Sequence, residues 1–179
     1  QTLWAVPWMI KVCGYTSAQA ATGLFWINVC MLGTFWTWGM VNPVLVRRGF
    51  TAEHLIARGL PFSFILLAII VIAGDGLSTL ATPAIALYCM SCSFVSLAQP
   101  AVGMAFPQAL AGRALSAYNL VIFAGVFVVQ WGIGLLIDGV RALGLGDVAA
   151  YQTAVGVYLA CCVAAYGYFL WAKPHNQGS

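Results

Sequence analysis

Cys89-Met90-Ser91-Cys92 is the one place in this 179-residue chain where spacing suggests metal or thiol chemistry. On a helix such a pair sets two sulfurs on one side, and soft ligands of that kind suit copper(I). The chain has no second pair and no histidine nearby, and cysteine is a common small apolar filler, so the pair reads as packing. His54 and His175 lie far apart in sequence and form no ligand or catalytic set. There is no phosphate-cradling glycine loop, no H-E-x-x-H and no G-x-S-x-G nucleophile pattern. The expectation is no catalytic residue, no metal, no cofactor and no enzyme.

The informative polarity sits in uncharged residues within apolar runs, where polar groups are costly unless they face a cavity or a partner. Tyr88, Cys92, Ser96, Gln99 and Gly103 follow at intervals of 4, 4, 3 and 4, which puts them on one helical face. Pro100 and Pro107 bend or end that helix. A kinked helix with a polar stripe suits a cavity wall; the competing reading is a seam of small residues and interhelical hydrogen bonds. Asn119 and Gln130 are eleven residues apart and share another face, standing roughly 16 Å apart in depth. Gln130 lies nearer the middle of its run and is the better substrate contact. Asn119 either lines the pathway or bridges a neighbouring helix. Gln19, Thr22, Trp26, Cys30, Gly33 and Thr37 align on a third face that suits close packing, with Trp26 able to line a pocket.

The elements that position these residues follow from composition. Apolar residues make up 63% of the chain and charged residues only 6%, against roughly 25% charged in a soluble domain. A net charge of +3, scattered along the chain, excludes a nucleic-acid face. A spanning helix needs about 20 mostly apolar residues. The charge-free runs predict five spans, Ala18–Val46, Ile56–Gly74, Thr82–Phe106, Ala114–Val140 and Ala150–Ala172. Thr51 is the expected N-cap of the second, with Glu53 in its first turn and Pro61 in its early turns. That span is otherwise nearly free of polarity and reads as lipid-facing. In the last span Gly156, Ala160 and Ala164 offer a packing face, and Tyr166, Tyr168 and Trp171 an interfacial belt.

The stretch 1–13 is apolar but too short to span, and reads as a truncated first helix. Residues 173–179 read as a polar cytoplasmic tail, leaving 1–172 as one bundle. Alternating spans put Arg47, Arg48, Arg58, Arg113 and Lys173 with Glu53 on one side, and Lys11 and Arg141 with Asp75, Asp138 and Asp147 on the other. Basic residues favour the cytoplasm, so the first group is expected inside. The fold class is thus all-α, a polytopic transmembrane helical bundle with the lipid bilayer as its partner.

Three passages carry a family resemblance. Leu3 to Trp8 followed by Cys13-Gly14-Tyr15 resembles the outer end of the seventh helix of the major facilitator superfamily. Gly39 to Arg48 (GMVNPVLVRR) resembles the loop between its eighth and ninth helices. Phe106 to Asp138, with the Gly112-Arg113 loop, resembles the end of the tenth helix and the eleventh. In the first loop Gly39, Arg47 and Arg48 match the family signature, whereas Pro43, Val44 and Val46 depart from it, leaving the two arginines as anchors. The resemblance implies one six-helix half, helices seven to twelve, of a carrier in a bacterial inner membrane. It also implies a missing N-terminal six-helix half as partner and a small-molecule substrate. The seventh and tenth helices would face the central cavity, the eighth and eleventh would flank it, and the ninth and twelfth would lie outside. Alternating access would move the solute. The competing function is a non-transporting membrane subunit or assembly factor whose polar faces bind a partner.

Overall fold

The computed structural model describes residues 2–172, so the expected tail at 173–179 lies outside the described residues. Every regular element among them is helical: α1 (Thr2–Lys11), α2 (Ser17–Arg47), α3 (Ala52–Ala73), α4 (Ala81–Cys92), α5 (Ala98–Met104), α6 (Gln108–Ala142) and α7 (Asp147–Trp171). Two 3₁₀ segments, Gly74–Leu80 and Ser93–Leu97, join α3 to α4 and α4 to α5. Four stretches are long and apolar enough to cross a membrane: Ser17–Arg47, Ala52–Met104, Gln108–Ala142 and Asp147–Trp171. The second doubles back at Gly74–Leu80, so that Gly59 of α3 lies against the Phe94 ring. It therefore makes two passes. With 10 residues, α1 is only about 15 Å long.

Local chemistry sets the helix ends. Thr16 starts α2 with a capping box: its hydroxyl accepts from Gln19 N, and the Gln19 amide oxygen accepts from Thr16 N. The T-x-x-Q spacing before an apolar run is the sequence mark of that cap. Gly49, at φ +81°, closes the other end of α2, where Phe50 N donates to Leu45 O. Thr51 caps α3 as its position predicts, accepting from His54 N at 3.3 Å.

The prolines behave differently from the expectation. Because α3 begins at Ala52, Pro61 is an interior residue rather than an early-turn one. Its missing N–H deprives the Ala57 carbonyl of the usual i+4 donor. Tyr166 of α7 supplies the replacement, its hydroxyl donating to Ala57 O at 2.5 Å. Pro83 stands in the same relation to Thr79, whose carbonyl accepts from the Tyr15 hydroxyl at 2.9 Å. Neighbouring groups commonly re-satisfy proline-freed carbonyls where water is absent.

The core gathers at one end of the bundle around α1. Met9 is fully buried there, with Trp8, Val12, Ala20, Ile85, Ile137 and Tyr151 around it. At this end the turn after α1 meets the Gly74–Leu80 segment, and Lys11 meets Asp147 at 3.5 Å. The opposite end has its own ties. There Trp38 Nε1 donates to Ser93 Oγ at 2.7 Å, and the Trp38 ring meets Phe94 edge-on.

Candidate functional site

A cavity of about 350 Å³ lies between α1, α3, α4, α6 and α7. Aromatic residues from three helices shape it: Trp4 and Trp8 from α1, Tyr88 from α4 and Tyr158 from α7. The rest of the wall is aliphatic apart from Cys89 and Gln130, and no lining residue carries a charge. Three lining residues hold buried polar atoms without a well-formed hydrogen bond, Trp4 and Trp8 at Nε1 and Gln130 at Oε1. The Cys13 thiol lies within reach of the Trp8 indole.

Packing explains how these side chains are held. Trp4 is fixed between α6 and α7, with its ring edge-on to Tyr151 and its edge against Gly134. A methyl group at Gly134 would rest in ordinary van der Waals contact with the indole. Gln130 stands one turn below Gly134 on the same α6 face. The Tyr88 hydroxyl sits with the Cys92 thiol and the Tyr158 hydroxyl, and Cys162 lies beside Tyr158. This cluster joins α4 to α7 at the cavity wall.

Of the residues singled out by spacing, Tyr88 and Gln130 line the cavity. Cys92 stands behind Tyr88, and the Ser96 hydroxyl donates to Ser93 O within its own helix at 2.6 Å. Gln99 is exposed on α5 and Asn119 is half-buried on α6, both away from the cavity. The shared face expected for residues 88 to 103 does not persist. The five-residue 3₁₀ segment turns about 120° per residue instead of 100°, which rotates α5 by about 100° relative to α4. Gln99 is carried off the Tyr88 face by that rotation. The bundle also uses α3 and α7 as cavity walls, through Leu67, Ile70, Val155 and Tyr158, while α2 contributes none. Trp4, Trp8 and Tyr158 were not among the candidates; the Trp4–Trp8 spacing of four was the available signal.

Trp26 lines a different space, a polar cleft of about 580 Å³ between the start of α2 and the Gly74–Leu80 segment. Gln19, Thr22, Ser78 and Thr82 face the same cleft. Ser78 has a φ of +39°, rare for a residue with a side chain. Burial pushes the Cys13 thiol pKa up, the Trp8 indole opposes that, and the Asp75 charge adds to it. Beyond the cleft, Arg141 binds Asp147 at 2.8 Å, stacks over the Tyr151 ring, and with Lys11 completes an ion cluster over the core. Gly39, Arg47, Arg48, Gly112 and Arg113 are exposed at the opposite end. Among the described residues no group of three His, Cys, Asp or Glu side chains converges to hold a metal ion.

No protein-family model matches the sequence, and neither a curated protein nor a solved structure matches it. Fold and site define the class: an all-helical protein whose helices are apolar enough for a membrane, with an uncharged cavity among them.

Proposed function

We propose that the chain is the C-terminal half of a secondary carrier of the major facilitator type, with the α1–α7 cavity on the path of a small solute. The observation that carries this reading is the uncharged cavity itself, which five helices line and to which Trp4, Trp8, Tyr88, Tyr158 and Gln130 contribute. Polar side chains such as Gln130 are costly in an apolar surrounding unless they face a cavity or a partner, and a passing solute serves as one. Carriers of this kind place their sites near the bilayer midplane and rock one half against the other. The partner in that motion is a second six-helix half. The end bearing Arg47, Arg48, Arg58 and Arg113 faces the cytoplasm of an inner membrane.

The test is uptake by proteoliposomes containing the complete gene product, screened across solute classes. Gln130→Leu and Trp4→Phe are expected to reduce uptake at least about tenfold for the transported solute. If no solute moves, and the same variants instead abolish assembly with another membrane protein, the carrier reading fails. The subunit reading then replaces it. That second reading draws on the exposed Trp36, Met40 and Phe127, which leave broad apolar faces on α2 and α6.

A further inference from the structure

We propose that the exposed apolar stretch of α6 is a portal, through which an uncharged aromatic solute dissolved in the bilayer enters the cavity at mid-membrane depth. This deepens the carrier reading and rests on it only for the claim that the solute crosses the membrane.

Burial locates the mouth. Of the residues lining the cavity, only Gly125, Val126 and Val129 are exposed, and all three belong to α6. Every other lining residue is buried or half-buried. The same three lie within 120–129, where each residue is apolar, so the outer surface and the cavity wall are continuous hydrocarbon at this point. Depth follows from position. Gly125 is the middle residue of the 35 in α6, about 25 Å from either end at about 1.5 Å per residue. The hydrocarbon core of a bilayer is about 30 Å thick, so a mouth at that position opens on acyl chains rather than on headgroups or water.

The wall sets the class of solute. None of the lining residues is ionic, and most are aliphatic or aromatic. A charge brought there loses its water and gains no counter-ion. The Tyr88 and Tyr158 hydroxyls sit with each other and with the Cys92 and Cys162 thiols, which leaves the wall few polar groups for a hydroxyl-rich solute. The rings of Trp4, Trp8, Tyr88 and Tyr158 favour a flat one. Size comes from the volume. An apolar cavity of about 150 Å³ holds one benzene, so about 350 Å³ takes a molecule of about two rings.

Calorimetry on the complete gene product in lipid nanodiscs, against empty nanodiscs, tests this. The probes are 2-acetonaphthone, 2-naphthoate and a phosphatidylcholine carrying a naphthyl group at mid-chain. 2-Acetonaphthone is expected to bind saturably, and 2-naphthoate about a hundredfold more weakly after correction for its membrane partition. The chain-borne naphthyl group should displace 2-acetonaphthone, because it reaches only what opens on the acyl layer. A Cβ at Gly125 meets nothing within 4 Å, so Gly125→Phe plugs the mouth without a clash at its base. That variant should weaken 2-acetonaphthone at least about tenfold. Gly33 is equally unhindered but lies on α2, which lines no part of the cavity; Gly33→Phe should move the affinity less than about twofold. No saturable binding, comparable binding of 2-naphthoate, no displacement by the chain-borne group, or equal effects of the two variants would each overturn the portal. The probes on the unaltered protein decide the matter even if Gly125→Phe fails to fold. Uptake separates the two claims. Binding that is open to the chain-borne group but leads to no translocation keeps the portal and removes the carrier. Translocation of a sugar or ion that is indifferent to Gly125→Phe does the reverse.

Discussion

Replacing Tyr166 by Phe should destabilise the bundle only because Pro61 is where it is. The phenol of Tyr166 donates to Ala57 O at 2.5 Å, the carbonyl that would otherwise receive the N–H of residue 61. Phe keeps the ring, and with it the edge-on contact to Phe64 at 5.4 Å and the tilted contact to Phe169 at 6.4 Å. The change therefore isolates the hydroxyl. Interhelical hydrogen bonds in membranes average about 0.6 kcal/mol and reach about 1.7. Here the acceptor is left without its helical donor, which places the expected loss at the upper end, about 1–2 kcal/mol. Pro61→Ala restores an N–H at position 61. In that background Tyr166→Phe should cost about 0.5 kcal/mol or less, a coupling near 1 kcal/mol in a double-mutant cycle. Reversible unfolding in mixed micelles titrated with denaturing detergent measures all four corners. An equal penalty in both backgrounds, or none beside the native proline, refutes the account of Tyr166 as a replacement donor.

Three further outcomes follow from the packing. A methyl group at Gly59 would run into the Phe94 ring, so Gly59→Ala should lose about 1–3 kcal/mol by overpacking. Gly33→Ala, which meets nothing within 4 Å, should be neutral or gain up to about 1 kcal/mol of helix propensity; equal melting shifts for the two would contradict the model. Trp38→Phe removes a 2.7 Å bond to Ser93 Oγ, but the Ser93 hydroxyl still donates to Met90 O. Its loss should therefore stay near 0.6 kcal/mol, and a larger one would show that the Ser93–Leu97 segment depends on the indole. Asp147 lies at the charged end of the bundle, and the hydrogen bond from Arg141 holds its carboxylate below the ordinary value. Its contribution is present above the unfolded pKa and lost only as pH falls through the lower folded one. Asp147→Asn should consequently shift the melting point equally at pH 7 and pH 5, and a shift that vanishes at pH 5 would contradict the pairing.

Helix type and position were legible in the sequence because charge-free apolar runs admit little else. Thr51 read correctly as a cap because its side chain acts on its own backbone three residues on. What failed to show was geometry beyond one helix. The stripe through Tyr88 and Gln99 assumes a uniform 3.6-residue turn, and five residues of 3₁₀ helix are enough to undo it. Pro61 looked harmless because its place was counted from the start of the apolar span at Ile56, although the expected Thr51 cap already set it well inside the helix. The cavity was legible only in fragments. Gln130 announced itself as a polar residue deep in an apolar run, whereas Trp4 and Tyr158 look like any interfacial aromatics until tertiary packing sets them opposite one another.

The exposed half of α6 bears on both the solvent and the site. Leu120, Val121, Phe123 and Phe127 are each between 69% and 71% exposed, and residues 120–129 are apolar at every position, so at 100° per residue they go all round the helix. A helix apolar all round belongs in a core or a membrane, so water is not what surrounds this stretch. One turn further on the pattern changes, and Ile133 and Ile137 are buried against the bundle. Gly125, Val126, Val129 and Gln130 sit at that change and line the cavity. Whatever covers the apolar stretch of α6, lipid chains or the helices of another half, therefore also forms the boundary of the cavity. An uncharged ligand can approach across a boundary of that kind with little loss of hydration, and an ion cannot.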